Sequence, residues 1–284
     1  AASDVYKRQV NIISAILCLI LGNVILRKNE YHQTSNIHIS RSMMITLVLS
    51  TISLMIPMSL LTQKGYHSLW VWPILLIAIF FIVNFIITNR QATHPIVHFH
   101  TLFSKKPFVG ATMAISSHLT LLTGIAGINV YIVRILKLPF DISLHFYFFF
   151  FVGVIITGIL KMFFYSSVGA GFLGTLGSSA LLYVSIHWII LGNTINIPLL
   201  YIQGLLLGFG ASMTLVSGSM ATLLDGDLKE AAQRSQTMHT IRNFSAAMLI
   251  PIIAYTIKNH IQKGTQSIYA ENITDKMIYL KKLQ

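Results

Sequence analysis

Long stretches without a charged side chain limit this sequence to very few folds. Residues 43–61 and 69–87 each run for 19 residues without Asp, Glu, Lys or Arg, about the length a helix needs to cross a 30 Å hydrocarbon layer. Only 10% of the 284 residues are charged, against about 25% in a soluble domain. A chain this apolar is predicted to be an integral membrane protein.

The apolar stretches predict helices. They are continuously apolar and do not alternate in short segments as the strands of a membrane barrel do. In lipid, a helix satisfies every backbone polar group within its own segment. We predict an all-α fold with eight spanning helices, at residues 10–26, 43–62, 69–88, 108–133, 143–164, 168–191, 197–222 and 239–257.

The first nine residues do not resemble a targeting signal, because no cleavage site of small residues follows them. Residues 3–9, SDVYKRQ, match the in-frame translation of a transposon adapter used in preparing sequencing libraries. We therefore expect residues 1–9 to be an adapter scar and the chain to be a fragment of a longer protein.

Basic residues are distributed unevenly between alternate loops. One set of loops carries ten Lys and Arg residues, including Lys161, and the other set carries three. Because cytoplasmic loops are enriched in these residues, the first set is predicted to face the cytoplasm. The segment after residue 257 would then lie outside, although it carries five basic residues. The net charge of +12 is spread over these loops and forms no patch for nucleic acid.

A polar stripe marks the span at 108–133. Its members follow each other at steps of four, three, four and four residues, which places them on one face of a helix; they are Ser116, Thr120, Thr123, Gly127 and Tyr131. Two interpretations remain open. The stripe either lines a path for a substrate or lets neighbouring helices pack closely.

Titratable groups are scarce inside the spans. None of the eight acidic residues lies near the centre of a span, and proton-coupled transport usually needs a buried titratable group. Within this sequence that role would fall to His118 or His187, and otherwise to a carboxylate in a missing part of the protein.

A histidine cluster, His94, His98 and His100, raises an alternative: a membrane-bound oxygenase or hydroxylase that uses a metal. The other histidines are scattered over both sides of the membrane, and metal sites also need supporting carboxylates. We therefore expect no metal site, no cofactor and no enzyme activity.

The same loop supports a resemblance. Residues 94–103, HPIVHFHTLF, followed by Lys105 and Lys106, resemble the segment that joins the second linker helix to the seventh core helix in the fourteen-helix drug:proton antiporters of the major facilitator superfamily. Further downstream, similar positions are Gly204, Gly208, Gly210, Ala231, Ser235, Thr240 and Arg242. The chain departs from the family at Ser245 and Ala246, where the family has a glycine pair.

The resemblance implies a division of the chain. Residues 10–26 would be the last helix of the N-terminal bundle, 43–88 two linker helices, 108–257 five helices of the C-terminal bundle, and 258–284 an outer loop before a final helix. The chain would then be the C-terminal part of a major facilitator bundle.

The family's activity would be proton-coupled export of small amphipathic compounds by alternating access. The complete protein would be a monomer in the inner (plasma) membrane, with lipid, protons and the substrate as its partners and no nucleic acid. In the family, core helices seven, eight, ten and eleven line the cavity. The resulting cavity candidates are Ser116, Thr120, Thr123, Tyr131, Gln203 and Asn243. Arg242 is the candidate for a cytoplasmic gate. A transport-inactive membrane scaffold is a further alternative.

Overall fold

The structure is a computed structural model. It describes residues 16, 19, 20, 41–92, 95–190, 196–224 and 230–282, with side chains as far as residue 264. The chain divides into two units, 1–38 and 39–284. In the first unit the described residues are Ile16, Leu19 and Ile20, all helical. The predicted adapter therefore lies outside the described residues, as does nearly all of the span predicted at 10–26.

The second unit is helical wherever it has regular structure, and its described ranges contain no strand. Its helices are α1 (Arg41–Lys64), α2 (Val71–Gln91), α3 (Phe99–Leu102), α4 (Lys105–Val130), α5 (Phe140–Ile190), α6 (Ile197–Leu224) and α7 (Ala231–Lys282). A π-helical turn, Tyr131–Ile135, extends α4. In the described part, six helices are long and apolar enough to cross a membrane. The prediction of an all-α, multi-pass membrane protein is thus confirmed at this level.

Helix α5 reverses direction at Gly169. A straight helix of 51 residues would be about 76 Å long, more than twice the hydrocarbon thickness of a membrane. Gly169 has φ 77° and ψ 167°, a conformation open to glycine because it has no Cβ. We refer to residues 140–168 as α5a and to residues 170–190 as α5b.

The contacts with α6 show the reversal. Along α5a, increasing residue numbers meet increasing numbers on α6, so these two helices are parallel. Along α5b the order is opposite, so α5b and α6 are antiparallel. The contacting pairs are Phe146 with Gly204, Gly153 with Phe209 and Lys161 with Met213 for α5a, and Trp188 with Gln203, Leu181 with Gly210 and Gly177 with Thr214 for α5b. The two spans predicted at 143–164 and 168–191 correspond to these halves.

Helix α6 is the centre of the bundle. Half of its most apolar 18-residue window is buried, against at most 33% in the other candidate spans. Glycines allow the close contacts on which this burial depends. Gly110 of α4 and Gly218 of α6 lie against each other's backbone, and Gly208 lies against the carbonyl oxygen of Phe150 in α5a. Helices α4, α5a and α5b therefore all pack directly on α6.

Helices α1 and α2 form a hairpin beside α7. Leu54, Leu61 and Ala78 belong to one buried apolar cluster, and Phe244 and Ile252 of α7 pack against it. The bounds of α1 and α2 agree with the spans predicted at 43–62 and 69–88 to within a few residues.

Helix α7 is longer than the predicted span. The sequence predicted a helix at 239–257 followed by a loop at 258–284, whereas the helix continues to Lys282. This segment contains no proline and, at Gly264, a single glycine. A polar segment without helix breakers remains helical because a helix does not need a lipid environment to satisfy its backbone.

Candidate functional site

A groove separates α4 from α5b where both helices pack on α6. It consists of two adjoining cavities of about 410 and 260 Å³ that share Thr120 and Ser185. We name it the α4–α5b groove. The larger cavity lies within the range of roughly 300–1,000 Å³ found for small-molecule sites. Ile189, on its rim, is largely exposed, so the groove is open along one side.

The wall of the groove combines polar side chains with a larger apolar surface. Among the described residues that line it, none carries a charge. Its polar side chains are Ser116, Ser117, Thr120 and Thr123 on α4, Tyr131 on the π-helical turn that follows, Ser178, Ser185 and Trp188 on α5b, and Thr214 on α6.

The structure brings most of the predicted polar stripe together on this groove. Thr120, Thr123, Gly127 and Tyr131 line the larger cavity, and Ser116 lines the smaller one. A Cβ at Gly127 would meet no atom within 4 Å, so this part of the stripe is not a close helix contact. The stripe therefore faces open space, as a wall of a substrate path would; its role in transport stays a prediction.

The threonine hydroxyls of α4 donate their protons to the helix itself. Thr120 Oγ1 donates to the carbonyl oxygen of Ser116 at 2.9 Å, and Thr123 Oγ1 donates to that of Thr120 at 2.9 Å. A hydroxyl that has donated its proton still has lone pairs that accept a hydrogen bond. Towards the groove, these two side chains therefore act as acceptors.

Trp188 is held in place by a hydrogen-bonded chain behind the groove wall. Its indole Nε1 donates to Gln203 Oε1 at 2.7 Å, and Gln203 Nε2 donates to His187 Nδ1 at 2.8 Å. An indole nitrogen can only donate, so it fixes the orientation of the buried Gln203 amide. The amide nitrogen then faces His187 Nδ1, which must accept, so the neutral ring carries its proton on Nε2. This tautomer is assigned from the network.

Gln203 therefore occupies a different place from the one predicted. The sequence proposed it as a cavity residue, but it lies behind Trp188, is 1% exposed and does not line the groove. The reason is its position on α6, the central helix, where α5b covers it. Its contact with any substrate would be indirect, through the indole that it holds.

Replacing Gln203 by leucine is expected to loosen Trp188. The indole N–H and His187 would each lose a partner inside the bundle, at a cost of about 1–3 kcal/mol. We expect a lower unfolding temperature and a shifted Trp188 emission maximum, measured in detergent with Trp70 and Trp72 replaced by phenylalanine.

The matched control is Gln236→Leu on α7, because Gln236 is exposed. The control should retain both the unfolding temperature and the emission of its parent. Equal behaviour of the two leucine variants would contradict the role assigned to Gln203.

Ser185 and Trp188 were not among the predicted site residues, although the sequence holds a signal for them. Ser178, Leu181, Ser185 and Trp188 follow each other at steps of three, four and three, which is the spacing of one helix face. The resemblance placed the cavity on core helices seven, eight, ten and eleven, and therefore directed attention away from this segment.

No protein-family model matches this chain, and no curated protein matches it. The resemblance to drug:proton antiporters thus rests on the sequence motifs.

Arg242 and Asn243 lie on α7, away from the groove. Asn243 is exposed to the surroundings of the helix. Arg242 is half-buried and interacts electrostatically with His118 of α4 and with His239. Its buried Nε has no acceptor among the described residues. Neither side chain is among the described residues that line the cavities, because α7 packs on α1 and on the other side of α4. The gate role of Arg242 stays a prediction.

Lys161 differs from its expected position. It was predicted to be a loop residue, but its side chain is buried in the bundle, with the residue only 9% exposed. Its Nζ donates to the backbone carbonyl oxygens of Ser212 at 3.1 Å and Met213 at 2.8 Å. One turn earlier, Thr157 Oγ1 donates to the carbonyl oxygen of Phe209 at 3.1 Å. These bonds attach α5a to α6. Without Lys161, the set of loops predicted to be cytoplasmic carries nine Lys and Arg residues against three in the other set. The predicted orientation is therefore unchanged.

The histidine cluster falls only partly within the described residues, because His94 lies outside them. In the described part, no three His, Cys, Asp or Glu side chains are close enough together to hold a metal ion. Burial lowers the pKa of His98, while the charge of Glu230 acts in the opposite direction. The backbone N–H of His98 donates to Thr237 Oγ1 at 2.8 Å, which attaches this loop to α7.

Proposed function

We propose that this protein is part of a secondary transporter that exports small amphipathic compounds by alternating access, driven by protons. The α4–α5b groove would be part of its substrate path. The observation that carries the proposal is this cavity of ligand size, lined by hydroxyl groups, between helices that are otherwise apolar.

The depth of the groove supports a role in transport. Thr120 lies near the middle of the candidate span Lys105–Ile135, and Leu207 lies near the middle of α6. Polar groups at that depth face the bundle interior or a water-filled path. Secondary transporters bind their substrates near the membrane midplane, at the interface between moving parts.

The π-helical turn at the end of α4 also supports the proposal. The backbone N–H of Leu136 donates to the carbonyl oxygen of Tyr131 at 2.9 Å, which is the bond pattern of a π-turn. Such turns are rare and frequently occur at functional sites. Tyr131 begins this turn and lines the groove.

His187 is our candidate for a proton site in this part of the protein. It is the histidine that the described hydrogen bonds connect to the groove wall, through Gln203 and Trp188. A proton on Nδ1 would remove the acceptor of the Gln203 amide N–H and break the link between the ring and the groove wall, while the bond from Trp188 Nε1 to Gln203 Oε1 does not depend on it. A carboxylate in a further part of the protein would be the alternative proton site.

The test begins with the source gene, read upstream of codon 10. The longest in-frame product is then reconstituted in liposomes that contain a pH-sensitive dye. Two amphipathic probes are added separately: an uncharged trihydroxystilbene and the cation tetraphenylphosphonium. We expect proton movement that depends on the added probe. The 284-residue chain alone is expected to give none, because it would lack half of the moving parts.

Each outcome has a distinct meaning. Probe-dependent proton movement by the longer product supports export. A folded longer product without proton movement for either probe would favour the transport-inactive scaffold. Clear proton movement by the 284-residue chain would contradict its assignment as half of a transporter.

A further inference from the structure

We infer that the α4–α5b groove takes an uncharged amphipathic molecule with two or more hydroxyl or N–H donors along one edge. This inference rests on the proposed function only in taking the groove as a substrate site. It goes further in specifying the substrate chemistry that the groove recognises.

The described wall of the groove carries no charged side chain. A charged group buried without a partner of opposite charge is costly, and none of the described lining residues provides one. The buried cation nearest in sequence to α5b, Lys161, already donates to two carbonyl oxygens of α6. An uncharged ligand avoids this cost.

Thr120 and Thr123 form a row of two hydrogen-bond acceptors along α4. Thr120 and Thr123 have donated their protons to α4, so each can accept a hydrogen bond from a ligand but cannot donate one to it. Side chains three or four residues apart on a helix have Cβ atoms about 5–6 Å apart. A ligand edge with donors at about that spacing, as in a polyphenol, fits the row.

The larger cavity also has an apolar side. Ile128 and Leu207 are both buried and line this cavity, and the indole of Trp188 is held beside them by its bond to Gln203. A fixed aromatic plane favours an aromatic ligand, which stacks or packs edge to face. The ligand would thus present one polar edge and one apolar face.

A lipophilic cation is the competing ligand. The rings of Trp188 and Tyr131 both line the larger cavity, and aromatic rings attract cations. A cation without donors, however, would form no hydrogen bond with the acceptor lone pairs of the two threonine hydroxyls. The two chemistries therefore predict opposite orders of affinity for probes with and without donors.

The experiment uses Trp188 fluorescence in the full chain, purified in detergent, with Trp70 and Trp72 replaced by phenylalanine. The three probes are a trihydroxystilbene, its trimethoxy analogue and tetraphenylphosphonium. The two stilbenes share a skeleton and differ in their donors. We expect the trihydroxystilbene to bind at least tenfold more tightly than either of the other probes.

Substitutions on α4 test whether the threonine hydroxyls cause the difference in affinity between the two stilbenes. Thr120→Val and Thr123→Val keep the side-chain shape and remove the acceptor, so each is expected to weaken trihydroxystilbene binding about fivefold. Neither should change binding of the trimethoxy analogue. The matched control is Thr112→Val, because Thr112 makes the same bond to its own helix, to Phe108 at 2.9 Å, but does not line the groove.

The inference is overturned if the two stilbenes bind equally, if tetraphenylphosphonium binds more tightly, or if no probe affects Trp188. Because binding is measured without a membrane gradient, these results are independent of the transport assay. Transport of the cation together with failure of the stilbene would remove the substrate class and leave the proposed function standing.

Discussion

Gly208→Ala is expected to separate α5a from α6. A Cβ at this position would meet the carbonyl oxygen of Phe150, which is backbone and cannot rotate away. Overpacking of a core typically costs about 1–3 kcal/mol, and we expect the upper end here. In detergent this corresponds to a fall in unfolding temperature of roughly 10 °C, with less folded protein recovered.

The control for this substitution is Gly158→Ala on α5a, where a Cβ would meet no atom within 4 Å. Alanine is about 1 kcal/mol better than glycine inside a helix, so this variant should be as stable as its parent or slightly more stable. If Gly208→Ala proved as stable as Gly158→Ala, the close contact between α5a and α6 would be refuted.

Arg234→Ala is expected to destabilise the protein by at least as much. The side chain is 1% exposed. Its Nε donates to the carbonyl oxygen of Thr222 at 2.9 Å and its Nη2 to that of Leu223 at 2.8 Å. The last carbonyl groups of a helix have no partner within the helix, so Arg234 satisfies the end of α6 from α7. Losing these bonds and leaving a cavity should cost about 3 kcal/mol or more, measured by thermal unfolding.

Two further variants make this result specific. Arg134 is exposed on the π-helical turn, so Arg134→Ala removes an equal charge and should leave the unfolding temperature unchanged. Arg234→Lys keeps the charge but cannot donate to both carbonyl oxygens in the same fork geometry, and should be intermediate. Equal stability of the two alanine variants would be incompatible with the described role of Arg234.

The helical architecture was predictable because a membrane leaves the backbone few choices. Uninterrupted apolar stretches located six of the eight spans close to where the structure has helices or halves of a helix, and a seventh span, 239–257, falls inside α7. The end of α7 was not predictable from hydropathy, since the helix continues as a polar one. In the sequence, the turn at Gly169 was indicated only by the short gap between the neighbouring apolar stretches 143–164 and 168–191.

The site was predictable on one side only. The stripe on α4 was found because its polar residues recur at helical spacing, and the structure places them on the groove. The opposite wall, with Ser185 and Trp188, depends on which helix lies next to α4. Spacing identifies a face but not its neighbour. For the same reason Gln203, a polar residue on the central helix, was taken for a wall residue when it lies behind the wall.

Lys161 has a consequence for how the protein enters the membrane. Its ammonium group donates to the backbone carbonyl oxygens of Ser212 and Met213. These two residues are synthesised some fifty residues later. Until then, this charged group would lack a partner within the lipid, where a lysine costs about 2.5–3.5 kcal/mol at the very centre of a span. Lys161 lies about 12 Å along the helix from Gly169, near enough for its long side chain to reach the headgroups. We therefore expect this amine to stay at the membrane surface, on the side predicted to be cytoplasmic, until α6 is in place and its carbonyl oxygens can accept the hydrogen bonds of Lys161.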